Sequence, residues 1–398
     1  MIAFRPEVAG VPESPLVQIA TAAEAMPNSI KLCYGESDMP TPEFICRAAK
    51  DALDRGHTFY THTAGYAALR EAIAAKVREL HRLEYRPSEI ICTVGASMAI
   101  FTAIRALVGA GDNAVVISPA YAIFSNAVRI VGGEARTVPL ARKGTRFCLD
   151  VDRVERAMDA STRLLIVNSP SNPTGWVITV EEQRALYRLA EKHDLMILTD
   201  EVYERLVFDR PIAPSLANVA ADRDRVIVVN SFSKTYNMTG WRLGWAQGSE
   251  RLIRLMYSAA EFITSNPAAM VQQAGIVALR DGEPYIEELR AHYAARRRQV
   301  TDALAALPGV SLPDVNGAFY AFPAIDGLHD STVFTAGLLR ETGLALAPGV
   351  AFGDAGEGHV RICFASSEPV VADAMERLGS FLSKTGAGAA HRMTHPTP

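Results

Sequence analysis

Short apolar runs alternate with amphipathic stretches through the middle of this chain, and that alternation constrains the fold more than any other feature. The runs are Ala114–Ser118, Leu164–Asn168, Leu195–Thr199, Val226–Asn230 and Leu243–Gln247. Most are rich in Val, Ile or Leu, and each has the length of a strand buried on both faces. Helical periodicity falls between several of them. Ser97–Val108 sets Ile100, Ala103, Ile104 and Leu107 on one side, and Val180–His193 does the same with Leu186 and Leu189. The pattern predicts an α/β domain whose mostly parallel sheet is covered by helices on both faces.

With 398 residues the chain is too long for one small core. Its texture changes after about residue 285. An Arg-rich helical pattern, Ile286–Leu307, leads into the short runs Ala318–Phe322, Leu344–Ala347 and Val360–Phe364, and the helical stretch Glu368–Ser383 follows. We expect a large domain over 41–285 and a smaller α+β domain over 286–384. The N-terminal segment 1–40 is expected to join the smaller one. A disordered tail is expected over 385–398, with His391 and His395 solvated rather than metal-bound.

Charge excludes some classes of function. Forty Lys and Arg stand against 44 Asp and Glu, with no block of one sign, so no nucleic-acid groove is expected. The N-terminus carries Arg5 and Glu7 and lacks an apolar leader core, and Met98–Val108 is too short and is interrupted by Arg105. No secretory leader and no membrane span are expected. The five cysteines are scattered without a paired motif, which predicts reduced thiols in a cytoplasmic protein and no metal site.

Ligands of open α/β sheets bind beyond the carboxyl ends of the strands. Here those ends carry unusual residues. Leu164–Asn168 runs into Ser-Pro-Ser-Asn-Pro-Thr-Gly (169–175), Leu195–Thr199 into Asp200-Glu201, and Val226–Asn230 into Ser231-Phe232-Ser233-Lys234. Ile90–Val94 meets Gly95-Ala96-Ser97 and then a helix, whose free N–H groups suit an anion. Ser231, Ser233 and the Arg242 fork could add contacts to a phosphate. Lys234 offers an amine for an aldehyde, and Asp200 a carboxylate to keep a ring nitrogen protonated. Taken singly, such a lysine is usually solvated, and such an aspartate is as often a helix cap. Together they form the set that a pyridoxal phosphate pocket needs.

On those residues the chain resembles a class I aminotransferase of the aspartate aminotransferase superfamily, fold type I of the pyridoxal phosphate enzymes. The segments that carry the likeness run in family order along nearly the whole sequence. They are Gly35-Glu36-Ser37-Asp38, Tyr60–Gly65, Val94–Ser97, Ser118–Tyr121, Asn168–Gly175, Asp200–Tyr203, Ser231–Arg242 and Gly358–Arg361. The resemblance implies that Lys234 is the Schiff-base lysine, that Asp200 pairs with the pyridine nitrogen, and that Tyr203 and Asn172 bind the ring O3'. It implies that Tyr121 stacks on the ring and that Gly95, Ala96, Ser97, Ser231, Ser233 and Arg242 form the phosphate site. Tyr60 would reach the phosphate of the neighbouring subunit in a homodimer with shared active sites. Arg361, with Asn172 and the backbone of Gly35, would clamp a substrate α-carboxylate.

The implied reaction is ping-pong transfer of an amino group from an L-amino acid to a 2-oxo acid such as 2-oxoglutarate or pyruvate. A β-lyase or a cofactor-sensing regulator on the same scaffold are the alternatives, since fold does not decide which bond is broken. Three positions depart from the family pattern. Ser37 and His62 stand where proline is common, and His62 is expected to be a packing or surface residue. Ser97 stands where one aspartate-using branch has a lysine for the donor's distal carboxylate. A neutral or broad donor range is therefore expected, with aspartate as the alternative.

Overall fold

The computed structural model describes residues 4–385. The expected tail beyond Thr385, with His391 and His395, lies outside the described residues.

A seven-stranded sheet organises the larger part of the molecule. In spatial order its strands are Ile90–Thr93, Gly244–Gln247, Val226–Ser231, Met196–Asp200, Thr162–Asn168, Asn113–Ser118 and Glu134–Pro139. Gly244–Gln247 is antiparallel to both of its neighbours, while the other ladders are parallel. Alternate side chains supply the two cores. Val115, Ile117, Leu165, Val167, Ile197 and Val228 face Leu186 and Leu189 of helix Val180–Lys192. Ala114, Val116, Leu164, Ile166, Leu198 and Val229 face Ile100, Ala103 and Ile104 of helix Gly95–Leu107. Burial on both sides is why these strands read as unbroken apolar runs.

Glu134–Pro139 was not among the expected strands. It is the sheet's edge, its side chains range from buried to exposed, and Glu134, Arg136 and Thr137 break the apolar run. The helix expected from Ser97 begins at Gly95 instead.

The short apolar runs expected in the C-terminal part form strands, with one refinement. The run Leu344–Ala347 divides between two sheets, with Leu346 between them. Leu344–Ala345 pairs in parallel with Ile30–Lys31, and Ala347–Pro348 pairs with Val360–Cys363, which also pairs with Tyr320–Ala321. Further backbone bonds, from Cys363 N to Leu32 O at 3.0 Å and from Asp38 N to Ala365 O at 3.1 Å, hold residues 30–38 against this region. That attachment brings Gly35 to the rim of the large sheet. Helix Glu283–Ala305 packs Leu289, Tyr293, Val300 and Leu304 into the same core as Val371, Leu378 and Phe381 of helix Glu368–Thr385. Among the described residues, no helix is long and apolar enough to cross a membrane.

Candidate active site

The parallel strands end along one edge, where Asn168 lies in register with Asp200 and Gly244 lies between Thr93 and Ser231. A cavity of about 310 Å³ opens there, a volume suited to a small organic ligand.

Lys234 reaches it from the short helical turn that follows Val226–Ser231. Ser231 caps that turn, its Oγ accepting from Ser233 N at 3.0 Å. Lys234 Nζ donates to the Gly35 carbonyl at 2.5 Å and lies 5.9 Å from the ring centroids of Tyr203 and Phe319. Burial pushes its pKa down to about 8, so the neutral amine is accessible near neutrality. Gly35 is needed at its position because a Cβ would come within 2.6 Å of the Tyr320 hydroxyl.

Asp200 ends the central strand and is buried. One carboxylate oxygen accepts from Val202 N at 3.1 Å. Burial raises its pKa to about 7, with the backbone bond and the Lys234 charge opposing the rise. A carboxylate held so far from water calls for a cationic partner in the cavity. Asn168 braces both neighbours, its amide donating to Asp200 O at 3.0 Å and its Oδ1 accepting from Asn172 N at 2.8 Å.

Arg361 is 1% exposed. Its Nη1 donates to Asn172 Oδ1 at 2.9 Å and its Nη2 to the Cys33 carbonyl. The guanidinium lies between the rings of Tyr320 and Phe352, at 4.5 and 4.9 Å from their centroids. Its Nε is buried without a hydrogen-bond partner in the structure. A planar fork held this firmly can recognise a carboxylate presented in the cavity.

Ala96 and Ser97 in the first turn of helix Gly95–Leu107 also line the cavity, together with Ser231, Ser233 and Arg242. Gly95 itself is not in the lining. It has a φ of +74°, and a Cβ there would lie 2.3 Å from Arg242 Nη2, so glycine lets the guanidinium dock behind the helix start. Arg242 Nη1 donates to Thr239 O at 2.7 Å, and the side chain remains open to solvent. Donors, a cation and a helix N-terminus at one end suit a phosphate.

Tyr203 and Tyr121 also line the cavity, Tyr203 buried and Tyr121 42% exposed. Tyr60 is not brought to this chain's cavity; it stands on the surface, 90% exposed. His62, also exposed, stacks on Tyr257 at 5.4 Å and accepts from Ala64 N.

Sequence reasoning missed several residues of the site. Tyr320, whose hydroxyl lies 2.7 Å from that of Tyr203, was read only as part of a short run, and Asn168, at the head of the Asn168–Gly175 segment, was given no role of its own. Leu16, Tyr34 and Ile100 also belong to the lining. Among the described residues, no three His, Cys, Asp or Glu side chains are grouped to hold a metal ion.

A mostly parallel sheet with a half-buried lysine, a buried aspartate and a phosphate-type helix start at its carboxyl edge defines the fold type I class of pyridoxal phosphate enzymes. Within that class the chain belongs to the family described as aminotransferase class I and II, whose model matches residues 27–378. It is 37% identical over 364 residues to an aspartate aminotransferase of Pyrococcus abyssi, covering 90% of this chain and 93% of that one. An aromatic-amino-acid aminotransferase of Thermococcus litoralis is 36% identical over 366 residues, covering 91% and 94%. A solved aspartate aminotransferase of Thermus thermophilus, with maleate, superposes with a TM-score of 0.90 at 35% identity, covering 96% of this chain and all of the other. The chain is an aminotransferase.

Proposed function

We propose that the enzyme holds pyridoxal 5'-phosphate in this cavity through the amine of Lys234, and that it transfers the amino group of a neutral L-amino acid to a 2-oxo acid. The observation that carries the reading is a half-buried lysine of lowered pKa and a buried aspartate of raised pKa lining one cavity. Each is costly where it stands, and a cationic ring nitrogen beside Asp200 would relieve that cost.

In this reading Ala96, Ser97, Ser231, Ser233 and Arg242 hold the phosphate, Gly95 shapes their approach, and Tyr121 covers the ring. Tyr203 and Asn172 hold O3'. Arg361, Asn172 and the Gly35 backbone orient the substrate carboxylate, so that the Cα proton is presented to Lys234 Nζ. When bound, the cofactor supplies an electron sink for the pair left at Cα. The Lys234 amine, free to move beside Cα, would take that proton and hold it for the second half of the transfer. Asp200 keeps the ring nitrogen charged throughout.

Three cationic side chains line the cavity, Lys234, Arg242 and Arg361, and each has a role already. None is left for a distal carboxylate, while Leu16 and Ile100 are apolar; this favours a neutral donor. The names of the relatives favour aspartate as the second reading. We further propose a large domain over 41–285, a small one over 286–384 joined by 1–40, and a cytoplasmic homodimer in which Tyr60 completes the partner's phosphate site. The five cysteines are all unpaired, which suits a reducing compartment. Absorbance of the loaded enzyme mixed with single amino acids, without acceptor, is the test. Loss of the aldehyde band with stoichiometric 2-oxo acid is expected; release of ammonia from β-substituted donors alone would instead indicate a lyase.

A further inference from the structure

Phe59 and Tyr60 are 82% and 90% exposed, yet the chain that follows them is fixed from beneath by one buried side chain. Gln272, in helix Ala269–Asp281, is fully buried. Its Oε1 accepts from Tyr66 N at 2.7 Å, and its Nε2 donates to Thr61 Oγ1 at 2.9 Å and to Pro267 O at 2.7 Å. The backbone is pressed onto this amide. Gly65 has a φ of +90°, and a Cβ there would lie 2.7 Å from that of Cys92 and 3.1 Å from Gln272 Oε1. The stacking of His62 on Tyr257 adds a further fixed point.

A buried amide is costly unless its polar atoms are satisfied, and an apolar side chain would serve core packing more cheaply. Gln272 directs its polar atoms to two surface segments, one carrying Tyr60 and the other following Phe262, which is 88% exposed. Large apolar side chains on a stiffened surface segment are suited to a preorganised contact with another protein surface.

We propose that Gln272 is a positioning residue acting in trans: it sets Tyr60 so that the phosphate site of a second copy of this chain is complete. The proposal rests on the reading that Tyr60 crosses to the partner. Gln272 touches neither cofactor nor substrate, and it serves the cavity of the other subunit rather than its own.

Hybrid dimers test this. Gln272→Leu should raise the dissociation constant of the cofactor-free enzyme for pyridoxal phosphate and lower kcat/KM, each about tenfold or more, as expected when a contact group is misplaced by an ångström. Mixed with Lys234→Ala under proven subunit exchange, each hybrid has one site with an intact Lys234 and a correctly set Tyr60. Activity should then rise several-fold above the mean of the two parents. Tyr60→Ala mixed with Lys234→Ala runs in parallel. Rescue in the Tyr60 mixture but not in the Gln272 mixture overturns the proposal and leaves the Tyr60 reading standing. Rescue in neither removes the Tyr60 reading and the proposal with it. An unchanged cofactor dissociation constant in Gln272→Leu also overturns it. Should that variant fail to fold, Thr61→Val, which cuts one arm of the amide from the loop side, goes through the same mixing with the same outcomes.

Discussion

The hydroxyls of Tyr203 and Tyr320 lie 2.7 Å apart at the floor of the cavity, both buried. Burial and the neighbouring hydroxyl hold the Tyr203 pKa well above its ordinary value, so the pair remains protonated. Only one hydroxyl of such a pair can donate to the other. If Tyr203 donates to the cofactor O3', Tyr320 must be its donor, with Gly35 and the Arg361 guanidinium packed against the same ring.

Tyr320→Phe should therefore leave Tyr203 short of a donor. We expect kcat to fall about five- to fifty-fold and stability by about 1–2 kcal/mol, the usual consequence of removing one partner of a buried hydrogen bond. Steady-state kinetics with urea unfolding checks both. A variant with unaltered kcat, beside an impaired Tyr203→Phe, would take Tyr320 out of the relay.

Asp200 makes a prediction about stability whose sign is set by burial. Its pKa is about 7 in the folded chain against an ordinary 3.8, so between those values the folded state binds more protons than the unfolded one. Stability contributed by this group therefore falls as pH rises through that window. Cofactor-free Asp200→Asn should unfold at higher urea than wild type at pH 8, by at most about 4 kcal/mol, and the two should converge toward pH 4. Glu201, also raised to about 7, is present in both proteins and cancels. In loaded enzyme the same substitution should remove most of kcat. Lower stability of the variant at pH 8 would show that Asp200 is already compensated without the cofactor.

Lys234 predicts a pH dependence of cofactor uptake. Its pKa of about 8, lowered by burial, means that the reactive neutral amine grows as pH rises toward and past 8. Reconstitution of cofactor-free enzyme should accelerate over that range and then level off. Borohydride should fix the cofactor on Lys234, and Lys234→Ala should lose both attachment and turnover. Peptide mapping that found the adduct on another lysine would end the assignment.

The parts of the fold that were legible were those whose burial leaves a mark on adjacent residues. The stretches 226–229 and 164–167 are buried on both faces, so each reads as an unbroken apolar run. Edge strand Glu134–Pro139 has no such mark. The site divides in the same way. Lys234, Asp200 and Asn172 stand in local motifs that follow strands. Tyr320 acquires its position through tertiary contacts distant in sequence, among them Tyr203, 117 residues away, and Leu16 reaches the lining from the N-terminal helix Pro15–Glu24. Gln272 was equally hidden, because a glutamine in an otherwise ordinary helix shows nothing of the loops that it ties.

Donor choice is the last and sharpest prediction. Ser97 lies in the first turn of helix Gly95–Leu107 and on the cavity wall, with Ile100 one turn further along and Leu16 also in the lining. A donor with a distal carboxylate would bring a second negative charge into this wall, where the three lining cations are already assigned in the proposed reading. An unpaired charge in such a place costs about 2–5 kcal/mol relative to a paired one. A neutral aliphatic, sulfur-containing or aromatic L-amino acid should therefore exceed aspartate in kcat/KM with 2-oxoglutarate as acceptor. Ser97→Lys should shift the ratio toward aspartate by about tenfold or more, equivalent to about 1.4 kcal/mol. The measurement is a side-by-side donor series on both proteins. Aspartate as the best wild-type donor by about tenfold would mean that a cation outside the present lining enters the cavity with the substrate, and the argument from Ser97 would fall.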